Sequence, residues 1–165
     1  SMSQNPLGLF ESVKDHNDSS SGSKITIQLV GSVHPNILDT IQQLNIQQYV
    51  SILSYQPHQK AIQILVDSDF IFLVVPNQDK NKGIIPGKIF EYLKCQSEII
   101  LIGNKRSEAA LLTKELGYQN IFEINEKFDF NNLTINQSLD QESTSKFERK
   151  NLTASLAQVF DEINA

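Results

Sequence analysis

The sequence predicts an α/β protein: a Rossmann-like, doubly wound parallel sheet of about five to six strands flanked by helices. Three observations predict it. Short β-branched or aromatic runs recur at 25–30, 49–53, 70–75 and 98–102, and such continuous apolar runs suit strands covered on both faces. Helical stretches fall between them, at 35–44, 57–66, 87–95 and 107–116. The whole chain has 165 residues, the size of one domain, and it shows no internal repeat or low-complexity domain.

Element by element, the chain opens with Pro6 in a first helical turn, Asn5 as its cap, and Leu7, Leu9, Phe10 and Val13 at helical spacing over 6–16. Residues 15–23 carry Asn17, Asp18, four serines and Gly22, with nothing to bury, so they are expected to form a mobile surface loop. The strand and helix alternation then runs to Gly117, which stands where a helix stop belongs. Residues 120–124 offer one more short strand. The segment 125–145 is polar and asparagine-rich, anchored by Phe128 and Phe130. Leu152, Leu156, Val159, Phe160 and Ile163 then recur at helical spacing, which predicts a closing amphipathic helix over 147–163.

Composition narrows the function classes. Nineteen acidic against fourteen basic residues give a net charge of -5, so no general attraction to nucleic acid or to an anionic membrane is expected. The single cysteine, Cys95, excludes an internal disulfide framework and a multi-cysteine zinc site, and it suits a reducing compartment. No apolar run approaches the roughly 18 residues of a spanning helix, and the start lacks the basic-then-apolar order of a signal peptide. The expected location is cytoplasmic. Four Asn-x-Ser/Thr triplets, at Asn17, Asn132, Asn136 and Asn151, would be glycosylation acceptors only in a secreted chain. The Ser1-Met2 start looks like the scar of a cleaved tag, so residues 1–4 read as tag remnant and lead-in, and 5–165 as a single domain.

Ligands of open α/β sheets bind outside the carboxyl ends of the strands. After the first strand comes Gly31-Ser32-Val33-His34-Pro35, whose one glycine matches neither a dinucleotide fingerprint nor a P-loop. Gly31 reads as a tight strand-to-helix turn, with a backbone contact to ligand as the alternative. After the second strand comes Ser54-Tyr55-Gln56-Pro57-His58, where Tyr55 can stack on a flat ring or pack over the sheet edge with its hydroxyl wet. His58 has no Cys, Asp or Glu in ligand spacing, so no metal role is expected.

The third loop, 76–87, has a polar and mobile first half and then runs through Gly83, Ile84, Ile85, Pro86 and Gly87 into a helix with Lys88 in its first turn. A lysine at a helix N-terminus is unfavourable unless an anion is near, which hints at a phosphate. Glu91 follows one turn later. Ile89, Phe90 and Leu93 supply the buried side, and a carboxylate at the cleft mouth can take both hydroxyls of a ribose. The alternative is an ordinary solvated Lys88–Glu91 pair at three-residue spacing.

The string Pro86-Gly87-Lys88-Ile89-Phe90-Glu91-Tyr92-Leu93, followed by Ile99-Ile100-Leu101-Ile102-Gly103, resembles the C-terminal nucleotide-sugar-binding domain of family-four retaining glycosyltransferases. These enzymes, of the glycosyltransferase group 1 type, have the GT-B architecture of two Rossmann-like domains. Gly31 at a strand end, Asp67-Ser68-Asp69 before the next strand and the terminal helix add to the resemblance, which covers roughly residues 5–163. The resemblance implies a nucleoside-diphosphate-sugar donor, with Glu91 on the ribose and Lys88 and the backbone of Gly87 and Ile89 near the phosphates. Pro86 leads into that helix, and Gly31, Ser54 and Tyr55 complete the implied donor site, the last two near the base. It implies that Lys88 and the helix end stabilise the leaving diphosphate in place of a cation, so neither cofactor nor metal is expected. The implied setting is surface polysaccharide assembly, with the acceptor domain able to hold the enzyme peripherally at a membrane.

Two departures qualify the resemblance. Many members carry a second, sugar-touching glutamate where this chain has Gly83. The N-terminal acceptor domain and the first strand of the donor domain are missing, so the chain reads as an inactive fragment of a transferase. The rival reading is a noncatalytic Rossmann-like nucleotide-sensing or scaffold module. A phosphoacceptor receiver is disfavoured because its acidic strand ends are replaced by Gly31-Ser32 and Val75-Pro76, and a dehydrogenase because no glycine fingerprint is present.

Overall fold

A computed structural model describes residues 4–20, 22–76, 83–95, 97–135 and 149–163. Residues 1–3 of the expected lead-in, the first half of the long loop at 77–82 and the distal part of the asparagine-rich segment at 136–148 lie outside the described residues. Strands and helices alternate: α1 (Leu7–Ser19), β1 (Ile27–Val30), α2 (Pro35–Gln43), β2 (Val50–Leu53), α3 (His58–Val66), β3 (Phe70–Val74), α4 (Lys88–Tyr92), β4 (Glu98–Ile102), α5 (Glu108–Glu115), β5 (Ile121–Phe122) and α6 (Arg149–Ile163). Single 3-10 turns at Gln47–Tyr49 and Phe130–Asn132 complete the described elements.

All strand pairing is parallel, as the alternation predicts. The strands form two sheets, however, where one continuous sheet was expected: β1 pairs with β2, and β3, β4 and β5 pair in that order. Ile27 lies opposite Val50 in the first, and Phe70 opposite Glu98 in the second. The described strands number five, the last only Ile121–Phe122. Both sheets back onto one core, because the apolar runs alternate between two covered faces. On one face Leu9, Phe10 and Val13 of α1 and Ile41 of α2 meet Ile27, Ile100 and Ile102, with Phe70, Phe72 and Val74 packed alongside. On the other, Ile89 of α4 and Ala109 and Ala110 of α5 meet Leu73, Val75, Leu101 and Ile121. β4 is buried at every position, as a central parallel strand should be.

Local chemistry sets the boundaries. Ser107 Oγ accepts the Ala110 N–H at the head of α5, and Gly117 ends that helix at φ 94°, a conformation that favours glycine. At the head of α1, Asn5 does not act as the cap: its amide donates to Thr40 Oγ1 at 2.7 Å, joining α1 to α2. The expected loop at 15–23 is helical as far as Ser19. Asn17, only 2% exposed, explains the extension, because its side chain donates to Ile25 O and accepts from Ile25 N–H, both at 2.8 Å. Lys24 Nζ donates to the carbonyls of Asn17 and Ser20 at the helix end, where a cation is favoured. The expected anchors hold: Phe128 stacks on Phe122 with ring centroids 4.0 Å apart, and Phe130 tilts against Phe128.

Two helices differ from expectation. α4 spans only Lys88–Tyr92, and Leu93, Lys94 and Cys95 continue as turns. α6 forms, but it does not close the core: Leu156, Val159, Phe160 and Ile163 are 49–73% exposed and belong to none of the core clusters. Helical periodicity specifies an apolar face without specifying what covers it.

Candidate functional site

The two covered faces locate the cleft. α1 and α2 pack on one face and α4 and α5 on the other, so with right-handed crossovers the winding reverses between β1 and β3. The carboxyl ends of these strands border a topological switch point, where doubly wound sheets take ligands. Three expected segments reach that edge: Gly31 after β1, Ser54 and Tyr55 after β2, and 83–91 after β3.

Gly31 has φ 101°, donates its N–H to Leu53 O at 2.9 Å, and has open space where a Cβ would stand. The turn therefore needs glycine for its backbone and leaves room beside it. Ser54 is exposed, and Tyr55 is 84% exposed, so its ring covers little of the sheet edge. Gly87 and Lys88 are exposed and Pro86 is half-buried. Lys88 makes no ion pair or hydrogen bond among the described residues. Ile89 is fully buried, anchoring α4 in the second-face cluster, and its N–H donates to Pro86 O at 3.0 Å. That N–H is engaged within the turn. The five residues of α4 also carry far less dipole than the longer helix expected from sequence.

Glu91 is on the exposed side of α4, as its spacing from Ile89 and Leu93 requires. Its Oε1 stands 3.5 Å from His58 Nε2, at the first residue of α3. Both side chains are solvated, at 49% and 73% exposure. This contact joins the β2–α3 connection to α4, so Glu91 shares one edge with Ser54 and Tyr55. Sequence predicts no metal role for His58 and gives no sign of its contact with Glu91; its one signal is its place at a helix start just after the Ser54-Tyr55 pair.

Behind Glu91 stand half-buried Tyr92 and buried Cys95. Burial, then the Glu91 and Cys95 charges, raise the Tyr92 hydroxyl's pKa; burial and then Glu91 raise that of the Cys95 thiol, whose Sγ donates to Glu91 O at 3.3 Å. A thiol held protonated in this way is a poor nucleophile. Among the described residues no group of three or more His, Cys, Asp or Glu side chains is placed to hold a metal ion. No helix among them is long and apolar enough to cross a membrane. No protein family, curated protein or solved structure matches the chain.

Proposed function

We propose that this chain is the donor-binding domain of a GT-B glycosyltransferase, taking a nucleoside diphosphate sugar at the carboxyl edge between β1 and β3. The observation that carries the reading is the Glu91–His58 contact, which puts an exposed carboxylate of α4 beside the loop bearing Ser54 and Tyr55. Glu91 accepts both ribose hydroxyls, and Tyr55 offers a wet, uncovered ring to the base. Lys88, without a partner among the described residues, meets the diphosphate and stabilises it as it leaves; the short α4 assists only weakly. The sugar acceptor comes from a second domain, and the setting is cytoplasmic assembly of a polysaccharide or glycoconjugate. The glycine at position 83, where the family often has a sugar-touching carboxylate, favours a second reading as a noncatalytic nucleotide-sensing or scaffold module with the same cleft.

Titration of the chain with UDP, GDP, ADP and dTDP, followed by NMR chemical shifts, tests the site. Selective shifts of residues 31, 54–58 and 86–91 are expected. Losing a charged hydrogen-bond acceptor costs about 1.5–3 kcal/mol, so Glu91→Ala should weaken the preferred nucleotide by about one to two orders of magnitude. Equal affinity in the variant would sink the ribose assignment, and a fall in melting temperature instead of affinity would make Glu91 structural. Sugar transfer by the full-length protein separates the enzyme from the scaffold.

A further inference from the structure

Among the described residues β2 pairs with β1 alone, so its other side is a sheet edge. The ladder fixes which groups lie there. Val30 stands opposite Leu53, and Gly31 N–H donates to Leu53 O, so Leu53 and, two residues back, Ser51 turn their backbone groups toward β1. Val50 and Ile52 are out of phase with them and turn theirs away. The Val50 N–H is taken by Gln47 O in the turn before the strand. Val50 C=O, both groups of Ile52 and, one step further on, the Ser54 N–H have no backbone partner among the described residues.

Edge strands are commonly guarded by charge, and this one is not. From Thr40 to Gln59 the chain has no Asp, Glu, Lys or Arg, although 20% of the whole sequence is charged. Glutamine, asparagine and serine solvate this stretch instead, and Val50 to Tyr55 is a β-prone run with no charge, proline or glycine. Ile52, opposite Leu29 in the ladder, is 47% exposed although Leu29 and Val50 on the same face pack into the core. A partner of unlike sequence would find no charge here to steer or select it. An identical edge differs, because two-fold pairing sets the segment against itself, which charge of one sign would oppose and neutrality permits. At the other end of the fold, β5 has two residues and offers no comparable ladder.

We propose that two copies of the chain pair through the open edge of β2, antiparallel about a two-fold axis at Ile52, so that their smaller sheets become one. The outward phase of Ile52 selects this register. Ile52 exchanges both backbone hydrogen bonds with Ile52 of the partner copy, and on either side Ser54 N–H donates to Val50 C=O of the partner copy. Ser51 and Leu53 face each other as the close pair without hydrogen bonds. A register centred on Ser51 or Leu53 would present groups already spent on β1. The Ile52 side chains meet on one face and bury apolar surface that each exposes alone. A strand of four residues with one apolar pair makes a small interface, so the dimer is weak and depends on concentration. The pairing uses no side chain placed in the cleft, and it stands whether or not a nucleotide binds there.

Sedimentation and NMR of the full chain from about 10 μM to about 1 mM test this, over the range in which weak complexes assemble. The mass should rise from monomer toward dimer. Amide exchange at Ile52 and Ser54 should slow by about threefold or more as it does, while Ser51 and Leu53, already bonded to β1, stay unchanged. In a mixture of labelled and unlabelled chains an intermolecular Hα–Hα NOE should join Ser51 to Leu53. Ile52→Lys sets lysine against lysine at the axis and should raise the dissociation constant by about tenfold or more, whereas Ile52→Val should leave it within about threefold. Unchanged protection at 99–102 shows that the lysine variant is folded, and the NOE decides the register without any variant. A monomer at every concentration, a dimer that a folded Ile52→Lys leaves intact, or equal slowing across 51–54 would overturn the proposal. So would slow exchange at Ile52 and Ser54 that is independent of concentration, since the chain would then cover its own edge.

Discussion

Tyr118 is a residue whose side chain the fold leaves partly unserved. It is fully buried in the cluster with Leu93, Ile99 and Leu116, and its hydroxyl has no hydrogen-bond partner among the described residues. Burial first, and then the charges of Glu98 and Cys95, push its pKa up to about 12. The ring contributes packing while the hydroxyl contributes a desolvation cost, so Tyr118→Phe should leave the melting temperature unchanged or raise it. A loss of more than about 1 kcal/mol on chemical denaturation would mean that the hydroxyl has a partner, such as a bound water. The contrast with Glu91 is instructive. The Glu91–His58 pair is solvated on both sides, and such pairs contribute about 0–1 kcal/mol, so a large effect of changing Glu91 belongs to ligand binding rather than to stability.

Elements were legible where one residue pattern determined one outcome. The apolar runs at 70–75 and 98–102 read as covered strands because they are short and rich in β-branched and aromatic residues, and Pro35, Ser107 and Gly117 punctuate their helices by local chemistry. α1 runs past its sequence signal because its last turn is held by tertiary contacts: 15–19 has the composition of a polar loop, but Asn17 grips the Ile25 backbone eight residues on. Asn17→Ala strands that N–H and C=O, so it should cost about 1–3 kcal/mol and speed amide exchange at 16–20 and at Ile25; exchange unchanged at Ile25 would refute the tie. Of the candidate site, the string 86–93 displayed Glu91, but its contact with His58 depends on how two crossovers lie side by side, which no local pattern encodes. The turn after β5 is a second tertiary tie. Glu126 takes Lys105 Nζ at 2.7 Å and the Glu123 N–H at 2.9 Å. Desolvation opposes its ionisation, but the Lys105 hydrogen bond, the Glu123 N–H and the Lys105 charge outweigh it, and its pKa is lowered from 4.5. A lowered folded pKa stabilises above the unfolded value, so the wild type should be more stable than Glu126→Gln above about pH 4.5, with the gap closing as pH falls through the lower, folded pKa. Thermal melts of both proteins from pH 7 to 3 check this; a gap that stays constant would refute it.

Across the whole molecule, the split sheet divides stability unevenly. The β3–β4–β5 sheet has helices on both faces and a central strand buried throughout, whereas Val30 and Ile52 of the smaller sheet are 39% and 47% exposed and α3 has no fully buried residue. No backbone ladder links the two parts among the described residues, so their coupling passes through side chains, chiefly Leu9, Phe10 and Val13 of α1. Apolar packing of this kind is non-directional and weakens continuously, unlike a ladder, so the smaller sheet should open sub-globally while the larger stays closed. Amide exchange should accordingly be fastest at 27–30 and 50–53, and slowest at 99–102. Phe10, with no exposed surface, tests the coupling: Phe10→Leu keeps the site apolar, costs about 1–2 kcal/mol, and should speed exchange in β1 and β2 more than in β4. If α1 instead belonged to a single cooperative core, the substitution would speed all five strands by the same factor, and the two sheets would have to be regarded as one folding unit despite the missing ladder.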